Sequence, residues 1–228
     1  MKIWAQSCAA MGREPIWAGY DRALAKHVKE VAGPGTVVDL HGVTATAPGI
    51  DRYRFAEHIE TMEVVRNAMR AEKEGYDAFV MMSTIDAGYY EVREVVSIPA
   101  AFITEASLHQ ACQLAPRFAF FTHHSGLLLR VEELARRYGL AGRMVPGASL
   151  GVSYTQFHDM YTNPAKYVDM VMVTGRKLAA QGADILVPVG GPFNMYLVEQ
   201  GVKEIDGAPL LDVCAAAIMT AETMVRLR

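Results

Sequence analysis

The sequence predicts an α/β fold built on parallel strands. Three observations carry it: short runs rich in β-branched and aromatic residues recur along the chain, stretches of helical period lie between them, and glycines stop those stretches. The strands expected are Lys2–Gln6, Thr36–Leu40, Ala78–Met82, Ala100–Ile103, Phe118–Thr122, Met144–Pro146 and Ile185–Val189. Between the second and third, Phe55–Glu74 carries Phe55, Ile59, Met62 and Val65 at three- and four-residue spacing, a helical stripe expected to face a core. Gly75 stops this helix, and Gly139 stops the one expected over Leu127–Tyr138.

With 228 residues and 51% hydrophobic content, the chain can form one large α/β domain or two small pseudo-symmetric lobes. No Pro/Ser-rich linker or low-complexity segment divides it. Its net charge is −3, with 22 basic and 25 acidic residues spread along its length, so no basic stripe is available to neutralise nucleic-acid phosphates. No run approaches the roughly 18 apolar residues that span a bilayer, and the opening MKIWAQSCAAMG lacks a signal-peptide pattern, so a cytoplasmic protein is expected. Cys8, Cys112 and Cys214 are too few and too scattered for a disulfide framework or a CxxC metal site. His158 and Asp159 stand without a second ligand pair at a metal-binding spacing, so neither a metal nor another cofactor is expected.

Two segments are alike. Gly75–Ser83 and Gly182–Gly190 both read Gly-x-Asp, then an apolar strand, then a small residue. Further along, Ile98-Pro99-Ala100 opens a strand, Thr104–His109 follows it, and Pro209-Leu210-Leu211-Asp212 precedes an Ala-rich closing helix. In this order the segments resemble those of the aspartate/glutamate/hydantoin racemase superfamily, which also includes arylmalonate decarboxylases and maleate isomerases. The resemblance covers most of the chain. It implies two pseudo-symmetric parallel-sheet lobes with the active site between them, here roughly 1–104 plus the C-terminal helix, and 105–208, within one domain over 1–228. It further implies a cofactor-independent enzyme acting on a small carboxylate or cyclic amide, in a homo-oligomer.

One departure is central. Each half of the hydantoin racemases ends its strand in a catalytic cysteine, and those positions here fall on Ser83 and Gly190. A hydroxyl is a far weaker base than a thiolate and glycine has no side chain, whereas two-base racemisation needs an acid/base group on each face of the α-carbon. Exchange slower than in two-thiol relatives is therefore expected. Hydrolysis, or a lyase or decarboxylase reaction using Ser83 and a histidine, remains an alternative, as does a non-catalytic small-molecule binding protein.

The candidate catalytic residues are Ser83, His123, His124 and Glu105. Ser83 and the histidine pair follow strands, where open α/β sheets place ligands. Histidine suits proton transfer near neutral pH, and Glu105 could orient one in a triad-like set or merely favour a helix N-terminus. Gln6, Ser7, Thr84 and Asp86 are candidate substrate donors and acceptors, while Gly190 and Gly191 offer backbone N–H groups to an anion. Asp86 could alternatively shape its turn, His123 and His124 a helix cap, and the glycine pair a tight turn. Cys8, one residue beyond Ser7, is read first as a small buried residue and second as a displaced nucleophile. Gly151–Tyr161, long and aromatic, is expected to form a lid or pocket wall.

Overall fold

The computed structural model describes residues 1–47, 49, 53–152 and 154–228, with the side chains of residues 154, 155 and 157 left aside. The chain folds as two compact units, Met1–Ala106 with Cys214–Arg228, and Ser107–Val213. Among the described residues, no helix is long and apolar enough to cross a membrane.

The first unit is a four-stranded parallel sheet in the order β2-β1-β3-β4, from β1 (Lys2–Gln6), β2 (Val37–His41), β3 (Ala78–Met81) and β4 (Ala100–Phe102). Parallel pairing forces each strand to be followed by a crossover. The crossovers hold α1 (Ala18–Val31), α2 (Arg54–Lys73) and α3 (Tyr89–Val95), and α4 (Ile103–Leu114) follows β4 directly. Every residue of β3 is buried, which is why Ala-Phe-Val-Met reads as an unbroken apolar run rather than an alternating one. Gly75 adopts φ +77° just past α2 and the Tyr76 N–H donates to the Ala71 carbonyl at 3.1 Å, the left-handed stop expected there.

The expected orientation of α2 requires correction. Phe55, Ile59 and Met62 are 67%, 58% and 52% exposed, and the buried face instead carries Ala56, Glu60, Val64, Ala68 and Ala71. Three alanines let the helix approach β1, β3 and α3 closely, so the small side chains rather than the large ones face the sheet. Glu60 is thereby carried into the interior.

The second unit is a three-stranded parallel sheet in the order β6-β5-β7, from β5 (Phe118–Thr122), β6 (Met144–Ser149) and β7 (Ile185–Pro188). Its helices are α5 (Ser125–Arg137), α6 (Tyr154–Asp159), α7 (Ala165–Ala180) and α8 (Gly191–Glu199). A short antiparallel pair, β8 (Glu204–Ile205) and β9 (Ala208–Pro209), precedes the closing helix α9 (Val213–Arg226) of the first unit. Phe121, Tyr167, Leu178, Leu186, Phe193 and Tyr196 fill the core, with Phe121 and Phe193 packed edge to face at 5.1 Å between ring centres.

Candidate active site

In the first unit the carboxyl ends of β1 and β3 leave the sheet side by side, the Met82 N–H donating to the Gln6 carbonyl at 2.8 Å. Pairing of adjacent parallel strands therefore places Gln6-Ser7-Cys8 next to Met82-Ser83-Thr84. Gln6 is fully buried and spent internally: its Oε1 accepts from Trp4 Nε1 at 3.0 Å and its Nε2 donates to the Ser7 carbonyl at 2.9 Å. The Ser7 hydroxyl accepts from the Ala9 N–H at 3.0 Å, which bends the chain just after the strand. Ser83 is only partly buried, and strand register sets it beside Cys8, where its hydroxyl favours the charged form of the thiol.

The same thiol lies beside the Glu60 carboxyl, which reaches in from α2. Burial pushes the Cys8 thiol well above its ordinary range, the Glu60 charge pushes in the same direction, and the Ser83 hydroxyl opposes both. Burial likewise raises the Glu60 carboxyl to about 7, against the backbone N–H of Ala47 and the Cys8 thiol, which favour the charged form. Glu60 Oε1 accepts from that Ala47 N–H at 2.5 Å. No local motif announces Glu60, because its role depends on which face of α2 turns inward.

Asp86 and Glu105 have other partners. Asp86 sits at φ +49°, buried, and its two carboxylate oxygens accept from the Thr104 and Glu105 N–H groups, each at 3.0 Å, capping the start of α4. The Thr84 carbonyl accepts from the Thr104 hydroxyl at 2.6 Å, pinning the same turn. Glu105 is ion-paired with Arg93 at 2.5 Å and accepts from the Tyr89 hydroxyl at 2.5 Å, so its two oxygens engage an arginine and a tyrosine of its own unit rather than a histidine. That carboxylate, with burial as the larger cause, holds the Tyr89 hydroxyl up at about 12.

In the second unit His124 caps α5, its Nδ1 accepting from the Gly126 N–H at 2.9 Å. His123 is buried, its ring set edge-on to that of His124 with centres 5.1 Å apart. Gly190 precedes α8 at φ +101°, a conformation glycine takes without penalty, and Gly191 opens the helix. A residue the sequence argument missed fixes this end: buried Asn194 donates to Asp212 at 2.9 Å and accepts from the Val213 N–H at 3.3 Å. In the expected lid segment, Ser153 lies outside the described residues. The remainder forms α6 and returns to α8 through the Tyr161 hydroxyl, which donates to the Pro192 carbonyl at 2.5 Å.

A sequence model described as Asp/Glu/hydantoin racemase matches residues 18–221. The chain belongs to the Asp/Glu/hydantoin racemase family. Within this family it is 25% identical over 210 residues to a hydantoin racemase of Pseudomonas sp. (strain NS671), covering 90% of this chain and 82% of that one. An allantoin racemase from Klebsiella pneumoniae shares the fold with a TM-score of 0.86 at 22% identity, over 100% of this chain and 88% of the other. A mutant of arylmalonate decarboxylase in its liganded form does so with a TM-score of 0.64 at 16% identity, over 98% and 92%. The α/β class with parallel sheets read from the sequence is the fold of this racemase family.

Proposed function

We propose that the protein is a cofactor-independent enzyme that moves a proton at the carbon next to a carbonyl in a small cyclic amide or carboxylate. The observation that carries this reading is the cluster at adjacent strand ends, where the Ser83 hydroxyl, the Cys8 thiol and the buried Glu60 carboxyl interact in sequence. Hydantoin and allantoin share a five-membered cyclic ureide, which makes a 5-substituted hydantoin the first substrate class to test. The resemblance puts Ser83 and Gly190 at the family's thiol positions, and on that reading other residues are proposed to handle the proton. Ser7, Thr84, Gly190 and Gly191 are proposed to meet the substrate through hydroxyls and backbone N–H groups, with His123 and His124 as the second unit's acid/base candidates. We also expect a cytoplasmic homo-oligomer, tested by sedimentation and fractionation.

A second reading is favoured by the bare backbone at Gly190: a lyase needs to protonate its carbanion from one face only, so a single acid/base group suffices. The deciding experiment incubates single enantiomers of a 5-substituted hydantoin, aspartate and glutamate in D₂O and follows the α-proton by NMR. Deuterium at the α-carbon supports proton movement. Release of carbon dioxide from an arylmalonate favours the lyase, ring opening of the hydantoin the hydrolase, and tight binding without turnover the non-catalytic protein.

A further inference from the structure

Glu60 is 2% exposed, on a helix whose other inward residues are alanines and a valine. Carboxylates are rarely buried without a partner that compensates the lost hydration. Here one oxygen has the Ala47 N–H. The other, Oε2, is buried with no hydrogen-bond partner among the described residues, and the Cys8 thiol and this carboxyl lie close enough to bear on each other's ionisation. Cys8 in turn meets Ser83, the partly exposed member of the set. The three side chains thus cluster between the strand ends and a buried carboxyl oxygen left without a hydrogen-bond partner among the described residues.

Resting on the proposed function, we propose that Cys8 is the catalytic residue that exchanges the α-proton, and that Glu60 is the positioning residue that receives the thiol proton. In the step, the substrate C–H bond breaks and its proton forms a new S–H bond at Cys8. The former S–H bond breaks and that proton forms an O–H bond at Glu60. The electron pair of the C–H bond stays on the substrate as an enolate, and reversal returns a proton to the same face. Cys8 remains a neutral thiol before and after. This arrangement fits a thiol whose burial disfavours the free thiolate, because Glu60 bears the charge instead. Ser83 steadies the sulfur through its hydroxyl.

The groups facing the pair fix the pH dependence. Glu57 and Glu63 lie on α2, and Glu14 and Tyr20 on the segment leading into and along α1. All are acids, so none supplies a cation to hold Glu60 ionised at low pH. Exchange therefore falls as Glu60 is protonated below about pH 7.

The test measures α-deuterium incorporation into each enantiomer of 5-benzylhydantoin, aspartate and glutamate from pH 5 to 9. It compares the wild-type chain with Cys8→Ala, Cys8→Ser, Glu60→Gln and, as a control outside the site, Cys112→Ser. Cys8→Ala and Glu60→Gln should each lose at least ~10²-fold. Glu60→Gln should also lose the acid limb, and Cys112→Ser should match the wild type. Exchange by Cys8→Ala and Glu60→Gln within two-fold of wild type, with the limb intact, overturns the proposal while leaving the proposed function standing. Absence of exchange by the wild type from every probe overturns the proposed function and this inference with it. Carboxyl NMR of the ¹³C-glutamate-labelled chain gives a readout without turnover. One carboxyl should titrate near pH 7 and shift in Cys8→Ala, and if no carboxyl does so the pair is refuted.

Discussion

Replacing Glu60 by Gln should change how stability depends on pH. In the folded chain the carboxyl is raised from its ordinary 4.5 to about 7, burial being the largest cause. Between those values the folded state binds more protons than the unfolded one, so stability is fully present below pH 4.5 and is lost as pH rises through about 7. A gap of that width corresponds to ~3 kcal/mol at 1.36 kcal/mol per pKa unit. Gln has the same shape, keeps an oxygen for the Ala47 N–H, and cannot ionise. Urea midpoints at pH 4.5 and pH 8 should therefore show wild-type stability declining by ~3 kcal/mol more than that of Glu60→Gln, with the variant the more stable protein at pH 8. Parallel curves across this window would refute the reasoning, because they would mean that Glu60 titrates alike folded and unfolded.

Other residues give independent checks. Glu105→Gln breaks the partly buried pair with Arg93 and should cost ~1–2 kcal/mol. Ultraviolet titration should also show Tyr89 moving from about 12 back toward 10. A methyl at Gly175 in α7 would run into the Ile205 side chain, so Gly175→Ala should destabilise by ~1–3 kcal/mol, and Ile205→Val should recover part of the loss in the double variant. Gly190→Cys places a side chain at φ +101° and should lower stability by ~1–3 kcal/mol by denaturant titration.

The strands were legible because each is a short apolar run between turn residues. Lys2–Gln6 and Phe118–Thr122 match β1 and β5, and Thr36–Leu40 is one residue out of step with β2. The strand expected at Met144–Pro146 runs on to Ser149, since Pro146 and Gly147 look like punctuation yet lie in β6, where the pairing with β5 shifts register. The β8–β9 hairpin was missed although Asp206-Gly207 signals it. Both residues take positive φ, +50° and +79°, as a tight hairpin turn requires. Periodicity revealed α2 but assigned its stripe to the wrong face, because spacing alone does not say whether Phe55, Ile59 and Met62 or the alanines opposite meet the sheet. That choice hid Glu60, and with it the reason to weigh Cys8 above a small buried residue. Ser83 was legible because a residue following a parallel strand is placed by topology alone.

The central claim is that proton movement runs through one buried pair, Cys8 and Glu60. The most direct measurement is the ratio of initial α-deuterium incorporation rates from the two enantiomers of 5-benzylhydantoin with the wild-type chain. One enantiomer should exchange with retention of configuration, at least ~10²-fold faster than its mirror image, the contribution of one positioned acid/base group. Equal, fast incorporation from both enantiomers, with racemisation, would contradict the account by showing two opposed bases at work.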